Sequence, residues 1–240
     1  MAYKYILKKL KNLIYPSVCP LCNEIIEDRS ERICDECKAD IPYISSPLCF
    51  KCGKEINDAD MEYCEDCTKK PKSYIRGFPA MNYVSPVRES VAEFKYHNKS
   101  SYADFFSYEI LKTHGREIAE IAPEALIPVP VHDKKLKIRG YNQAAVLAKR
   151  LSVPLGIRVD EDILKRSINT LPQKLFDPEE RQKNLERAFI LTEKKVQYKK
   201  VMLVDDIYTT GATIEACTKM LKASGIKEIY YTSICIGKGE

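Results

Sequence analysis

The chain has 240 residues, 45% of them hydrophobic, with 39 basic side chains against 34 acidic ones and a net charge of +5. That length admits one large domain or two small ones, and no apolar run approaches the ~18 residues needed to span a bilayer. So modest a charge does not demand nucleic acid as a partner, although it leaves room for a local basic patch.

Residues 1–16 carry Tyr3, Ile6, Leu7, Leu10, Leu13 and Ile14 at helical spacing, with lysines mostly off that stripe, and Pro16 would end the helix. The stripe would pack on the protein's own domains or, as a basic amphipathic helix, rest on a membrane or a partner. A secretory signal is not expected, because lysines interrupt the apolar region.

Four C-x-x-C pairs follow: Cys19/Cys22, Cys34/Cys37, Cys49/Cys52 and Cys64/Cys67, each separated from the next by eleven residues. A longer repeat of thirty aligns CPLCNEIIEDRSERICDEC with CFKCGKEINDADMEYCEDC. Two thiolate pairs complete a tetrahedral four-sulfur site, so the economical assignment is one zinc ion per repeat. Cys19, Cys22, Cys34 and Cys37 would hold the first, and Cys49, Cys52, Cys64 and Cys67 the second, with crossed pairings left open. Such closed sites make the two zinc ions structural. So few large apolar side chains could hardly fold that segment without metal.

Lys69–Ser73 reads as a linker, which places the boundary between an N-terminal domain, 1–76, and a second domain, 77–240. A strand is expected from Ile75 to Val84 and helices over Arg88–Lys95 and Tyr102–Lys112, the latter stopped at Gly115. The run Phe94-Lys95-Tyr96-His97-Asn98-Lys99 mixes aromatic and basic side chains, as a surface helix end or a base-stacking site would. Ala125–Val131 is a second candidate core strand. After it comes a cationic loop, His132 to Gly140, and a helix over Tyr141–Leu151. Lys135 and Arg139 offer charge there, and Asn142 and Gln143 offer side-chain donors. The stretch Leu164–Phe189 is polar and irregular, and it could line a substrate mouth or cover a sheet edge.

The sharpest signal is Val201–Thr213, VMLVDDIYTTGAT. Val201–Val204 has the length and branching of a buried central strand, with Asp205 and Asp206 where the strand would end. Thr209, Thr210, Gly211, Ala212 and Thr213 then lead into a helical pattern. A strand, a tight turn and a helix N-terminus gather backbone N–H groups around an anion. The acidic pair instead suits hydroxyls or a metal ion, and a phosphorylated ribose presents both a phosphate and a diol. The string resembles the phosphoribosyl pyrophosphate (PRPP) motif of type I phosphoribosyltransferases. That resemblance implies that Asp205 and Asp206 hold the ribose hydroxyls, as the catalytic pair, while Thr209 to Thr213 hold the 5′-phosphate. Glu228–Ile236 reads as a last strand, and Cys217 and Cys235 as inert buried thiols.

Taken together, the two four-cysteine units, FKYHNK, P-V-P-V-H with R-G-Y-N-Q, T-x-x-Q with E-R-x-x-N, and VDDIYTTGAT resemble the ComF/ComFC competence family over nearly the whole chain. The resemblance implies an α/β fold: a type I phosphoribosyltransferase-like parallel sheet flanked by helices, behind a small double zinc-ribbon domain. It matches His132, Arg139, Asn142 and Gln143 to a pyrophosphate loop, in which the charge of Lys135 also lies, and Thr170, Gln173, Arg181 and Asn184 to a hood over the site. Where the hood commonly carries a second basic residue this chain has Ile168. The family resemblance further implies a cytoplasmic protein of natural transformation, which the N-terminal helix would bring to the inner face of the membrane as a peripheral contact. It would handle imported single-stranded DNA beside an uptake channel and a helicase-like partner. The competing expectation is an active transferase that binds PRPP with Mg²⁺ and passes the ribosyl group to a nucleobase or nucleotide-like acceptor.

Overall fold

The computed structural model describes residues 17–28, 30–166, 188–192 and 198–237. The hood residues Thr170, Gln173, Arg181 and Asn184 and the helix expected over 1–16 lie outside them.

The thirty-residue repeat is repeated in the backbone. Residues Val18 and Ile25 bridge antiparallel, as do Leu48 and Glu55 thirty positions later. In each hairpin the cysteine N–H bonds across the turn, Cys19 to the Glu24 carbonyl and Cys49 to the Lys54 carbonyl. The turn needs one left-handed residue, supplied by Asn23 (φ 66°) and Gly53 (φ 75°), two residue types that tolerate this region. A short helix then starts at the third cysteine of each unit: α1, Asp35–Lys38, and α2, Glu65–Lys69.

Behind these units lies a five-stranded, all-parallel sheet in the order β1-β7-β6-β2-β3. Its strands are β1 (Gly77–Asn82), β2 (Ala125–Pro128), β3 (Arg158–Val159), β6 (Lys200–Tyr208) and β7 (Glu228–Ile236). A separate antiparallel pair joins β4 (Leu164–Arg166) to β5 (Phe189–Leu191). The helices are α3 (Val87–Tyr96), α4 (Tyr102–Ile121), α5 (Asp133–Arg139), α6 (Gln143–Leu155) and α7 (Ala212–Ala223). This is the expected class, a parallel sheet flanked by helices behind two four-cysteine units.

Alternation along the central strand divides the core. Met202 and Val204 pack with α3, α4 and α6 on one face, while Val201 and Leu203 pack with α7 on the other. The four-cysteine units divide in the same way. Cys19, Leu21, Ile26, Ile33 and Ile41 of the first unit join the first core, and Cys49, Cys52, Ile56, Cys64 and Cys67 join the second. Between them the chain runs along β1, an edge strand. The Gly77 N–H donates to the Lys51 carbonyl, the Asn82 N–H donates to the Pro42 carbonyl, and Tyr43 bridges Met81.

Three local expectations are corrected. Helix α4 runs through Gly115 to Ile121 and closes on Ala122 at φ 50°. One interior glycine costs only about 1 kcal/mol against alanine, less than burying Ile118 beyond it returns. The cationic stretch after β2 is a helix, α5, rather than a loop; the His132 ring nitrogen caps it by accepting from the Lys134 N–H, and Gly140 ends it at φ 78°. Finally, β6 does not end at the acidic pair but continues through Asp205, Asp206 and Ile207 to Tyr208, paired with β7.

Candidate functional site

At the carboxyl end of β6, residues Tyr208 to Ile214 wrap a cavity of about 270 Å³ that Asp205, Lys135 and Arg166 also line. Gly211 caps α7 in the left-handed region at φ 73°. A Cβ there would lie 2.1 Å from the Tyr208 hydroxyl oxygen, so the loop closes over this tyrosine only with glycine. The phosphate loop, Lys135 of the cationic arm and Asp205 of the acidic pair therefore line one pocket, whereas Asp206 does not line it.

The two carboxylates differ. Asp206 is largely buried and forms a 2.9 Å ion pair with Lys95 of α3. Asp205 faces the pocket, and its Oδ1 accepts the Asp206 N–H at 2.8 Å. Loss of water around it and the neighbouring Asp206 charge push its carboxyl up to about 7, against smaller opposing pulls from Lys95 and Arg166. Opposite it, Arg166 on β4 packs its guanidinium over the Phe189 ring at 5.3 Å, with a buried Nε that has no hydrogen-bond partner among the described residues. Burial lowers its basicity; Lys135, an exposed residue whose ammonium gives up part of its water at this pocket, is lowered by that loss and by repulsion from Arg166 and Arg139. Arg166 also lines a larger cavity of about 820 Å³ that runs past Asp133, Asn142, Lys149 and Lys165. The small and large cavities thus share one arginine.

The remaining residues expected in the pyrophosphate arm serve the fold. Asn142 caps α6 by accepting from the Ala144 N–H and donates to the Val129 carbonyl. Gln143, 1% exposed, accepts from Arg139 at 2.9 Å. Arg139 is itself buried and lies over the Tyr96 ring at 4.9 Å, with a bond to its hydroxyl. That bond is the main reason the Tyr96 hydroxyl titrates below its ordinary range. His132 is the α5 cap. Of the tyrosines that could offer a face to a base, Tyr208 is 3% exposed and its ring stacks on Tyr231, so it offers none. Tyr141 is half-buried against Phe94. The role of Lys95 has no signal in the sequence: nothing in FKYHNK marks which lysine turns inward to meet a carboxylate on a distant strand.

In the N-terminal units the four sulfurs of each set, Cys19/Cys22/Cys34/Cys37 and Cys49/Cys52/Cys64/Cys67, lie within 4.8 Å of one another. The Cys22–Cys34 and Cys52–Cys64 sulfur distances are both 3.6 Å, near the ~3.8 Å edge of a tetrahedron with Zn–S bonds of about 2.3 Å. The residues fit structural zinc, one ion per thirty-residue unit, and the crossed pairings are excluded. Among the described residues no helix is long and apolar enough to cross a membrane.

The fold and its metal sites define an α/β protein with a parallel sheet behind a double zinc ribbon. Residues 10–68 match the family model of a double zinc ribbon domain. Competence protein F of Haemophilus influenzae is 33% identical over 178 residues, covering 70% of this chain and 76% of that one. The DNA utilization protein YhgH of Salmonella typhimurium is 27% identical over 91% of this chain and 89% of its own length. Competence protein ComFC of Bacillus subtilis is 23% identical over 81% and 80%, respectively. The chain belongs to the competence protein F/ComFC family. A purine phosphoribosyltransferase from Pyrococcus horikoshii aligns with 58% of this chain and 85% of its own, at 16% identity and a TM-score of 0.36, too distant a likeness to bear on function.

Proposed function

We propose that this protein acts in natural transformation, handling imported single-stranded DNA in the cytoplasm through a pocket that takes a ribose phosphate. The observation that carries the proposal is Arg166, which lines both the loop-lined pocket and the larger cavity. A sugar phosphate in the first would direct whatever is attached to the sugar into the second. Asp205 and Asp206 would hold ribose hydroxyls or, with PRPP, a Mg²⁺ ion; the backbone N–H groups of residues 209–213 would hold the phosphate. The exposed lysines Lys134, Lys135, Lys137 and Lys165 would supply a rim for the backbone of a strand, and Tyr96, 58% exposed with Arg139 over its ring, an aromatic side chain beside them. The names of the relatives, competence and DNA utilization, agree with this role. A helicase-like protein and a channel at the inner face of the membrane are the partners it would serve, with the N-terminal segment 1–16 as a contact to that surface.

Single strands should bind more tightly than duplexes, because a duplex hides its base faces, and affinity should fall steeply with salt. Fluorescence anisotropy with both forms at two salt concentrations tests this, with Lys135→Glu/Lys165→Glu as the variant. Arg139 is unsuitable for charge reversal because it is buried in the fold. Equal weak binding of both forms, unchanged in the variant, would remove the basis for the DNA role. The second reading, a PRPP-dependent transferase, draws on Asp205, pushed up to about 7 in the loop-lined pocket, and on the larger cavity as room for an acceptor. Pyrophosphate release from PRPP and Mg²⁺ in the presence of nucleobases or nucleotides decides it.

A further inference from the structure

We infer that residues 72–74, the strap leaving the second four-cysteine unit, hold the phosphate loop in its binding shape, with Lys72 and Tyr74 as positioning residues. The inference rests on the reading that the pocket takes a ribose phosphate. Three successive residues of the strap reach the loop or its helix. The Lys72 ammonium donates to the Thr210 carbonyl at 3.1 Å. The Ser73 N–H and hydroxyl donate to the two carboxylate oxygens of Glu215, at 2.7 and 2.5 Å. The Tyr74 and Tyr208 hydroxyls share a 2.8 Å hydrogen bond.

Each contact has a consequence for an anion in the pocket. A trans peptide points its C=O and N–H in opposite directions. Holding the Thr210 carbonyl on the strap side therefore turns the Gly211 N–H the other way, toward the cavity that residues 209–214 line. Glu215 sits in the first turn of α7 and is only 7% exposed. Left unbonded so close to a phosphate, its charge would oppose binding; two donors from Ser73 fix it away from the loop. Tyr208 fills the space under Gly211, and its ring stacks on Tyr231 at 4.8 Å. The Tyr231 hydroxyl in turn donates to the carbonyl of Cys52, a metal-site residue, at 2.8 Å. The bracing is thus continuous from the second four-cysteine unit to the phosphate loop. The first unit packs into the other core, where its contacts are with α4, such as the Tyr102 hydroxyl on Asn23.

The test uses the full chain and four variants: Lys72→Ala, Lys72→Arg, Tyr74→Phe, and Lys70→Ala as a control on an exposed neighbouring lysine. Calorimetry with PRPP and Mg²⁺ should show Lys72→Ala weakened about tenfold, the scale of one charge-assisted bond. Tyr74→Phe should lose a smaller factor, Lys72→Arg should recover most of the affinity, and Lys70→Ala should match the parent. Hydrogen exchange without ligand should be faster at the amides of residues 209–213 in Lys72→Ala and Tyr74→Phe, at unchanged zinc content. Parent-like affinity and exchange in both variants would overturn the inference. So would equal weakening in Lys70→Ala, which would make the effect one of net charge. A parent that bound no PRPP would instead sink the reading of the pocket, and the exchange measurement would still decide the bracing.

Discussion

Replacing Asp205 by Asn should stabilise the protein, and more so as pH rises. In the folded chain the carboxyl is pushed up from 3.8 to about 7. Between those values the folded state keeps a proton that the unfolded state gives up, so stability falls as pH rises across this window and levels off above it. With ~1.4 kcal/mol per pH unit, full expression of that difference would take about 2–3 kcal/mol from the parent between pH 5 and pH 8. The carboxylate is only partly buried, and water reaching it reduces the figure to roughly 1–2 kcal/mol. Asn cannot ionise, yet its side-chain oxygen can still accept the Asp206 N–H. The stability gap between variant and parent should therefore open from pH 5 to pH 8 and stay constant above. Urea unfolding of both proteins at half-unit pH intervals measures the gap directly, and contributions from the cysteine sites, common to both, cancel. A gap independent of pH, or one that widened toward acid, would refute the reasoning. The same ionisation arms the site, so a ligand held through ribose hydroxyls or Mg²⁺ should bind the parent more tightly as pH rises through about 7.

Lys95→Gln removes a charge that lowers the Asp205 carboxyl; the pH midpoint of PRPP binding should move upward, and an unchanged midpoint would deny the lysine its electrostatic role. Gly211→Ala should cost at least tenfold in PRPP affinity, since a Cβ there meets Tyr208 in a backbone region unfavourable to alanine; calorimetry checks it. Elemental analysis should find about two zinc ions per chain. A chelator should remove them in two phases, because Cys22 is exposed and Cys34 and Cys37 partly so, whereas all four cysteines of the second set are buried. Release in a single phase would mean that burial does not govern access.

What could be read in advance follows the range of the interactions. The cysteine repeat states its own metal sites, because four thiols at fixed spacing in each unit are close in sequence. Val201–Val204 and Glu228–Ile236 announce buried strands through composition alone, and both are central. The helix α5 was hidden because HDKKLKIRG has no apolar stripe, so its cap and its terminal glycine define it instead. Asn142 and Gln143 resemble free donors in a sequence, and only tertiary structure shows them engaged with Val129 and Arg139. The Lys95–Asp206 pair and the contacts of residues 72–74 with the phosphate loop join segments far apart in the chain, and no local pattern signals either.

The N-terminal units cover an edge strand and contribute to the core on both faces of the sheet. Uncovered, β1 would present the N–H groups of Gly77 and Asn82 without their carbonyl partners, beside Phe78, Ala80 and Met81, which are buried here. An open, apolar strand edge is a template for another chain. Residues 77–240 expressed alone should therefore self-associate on size-exclusion chromatography rather than persist as a monomer. By the same logic a chelator strong enough to empty both sites would act as an aggregating agent, and the order in which the chain is synthesised becomes an advantage. The zinc-binding units emerge from the ribosome first, so their cover is already made when the strand that needs it appears.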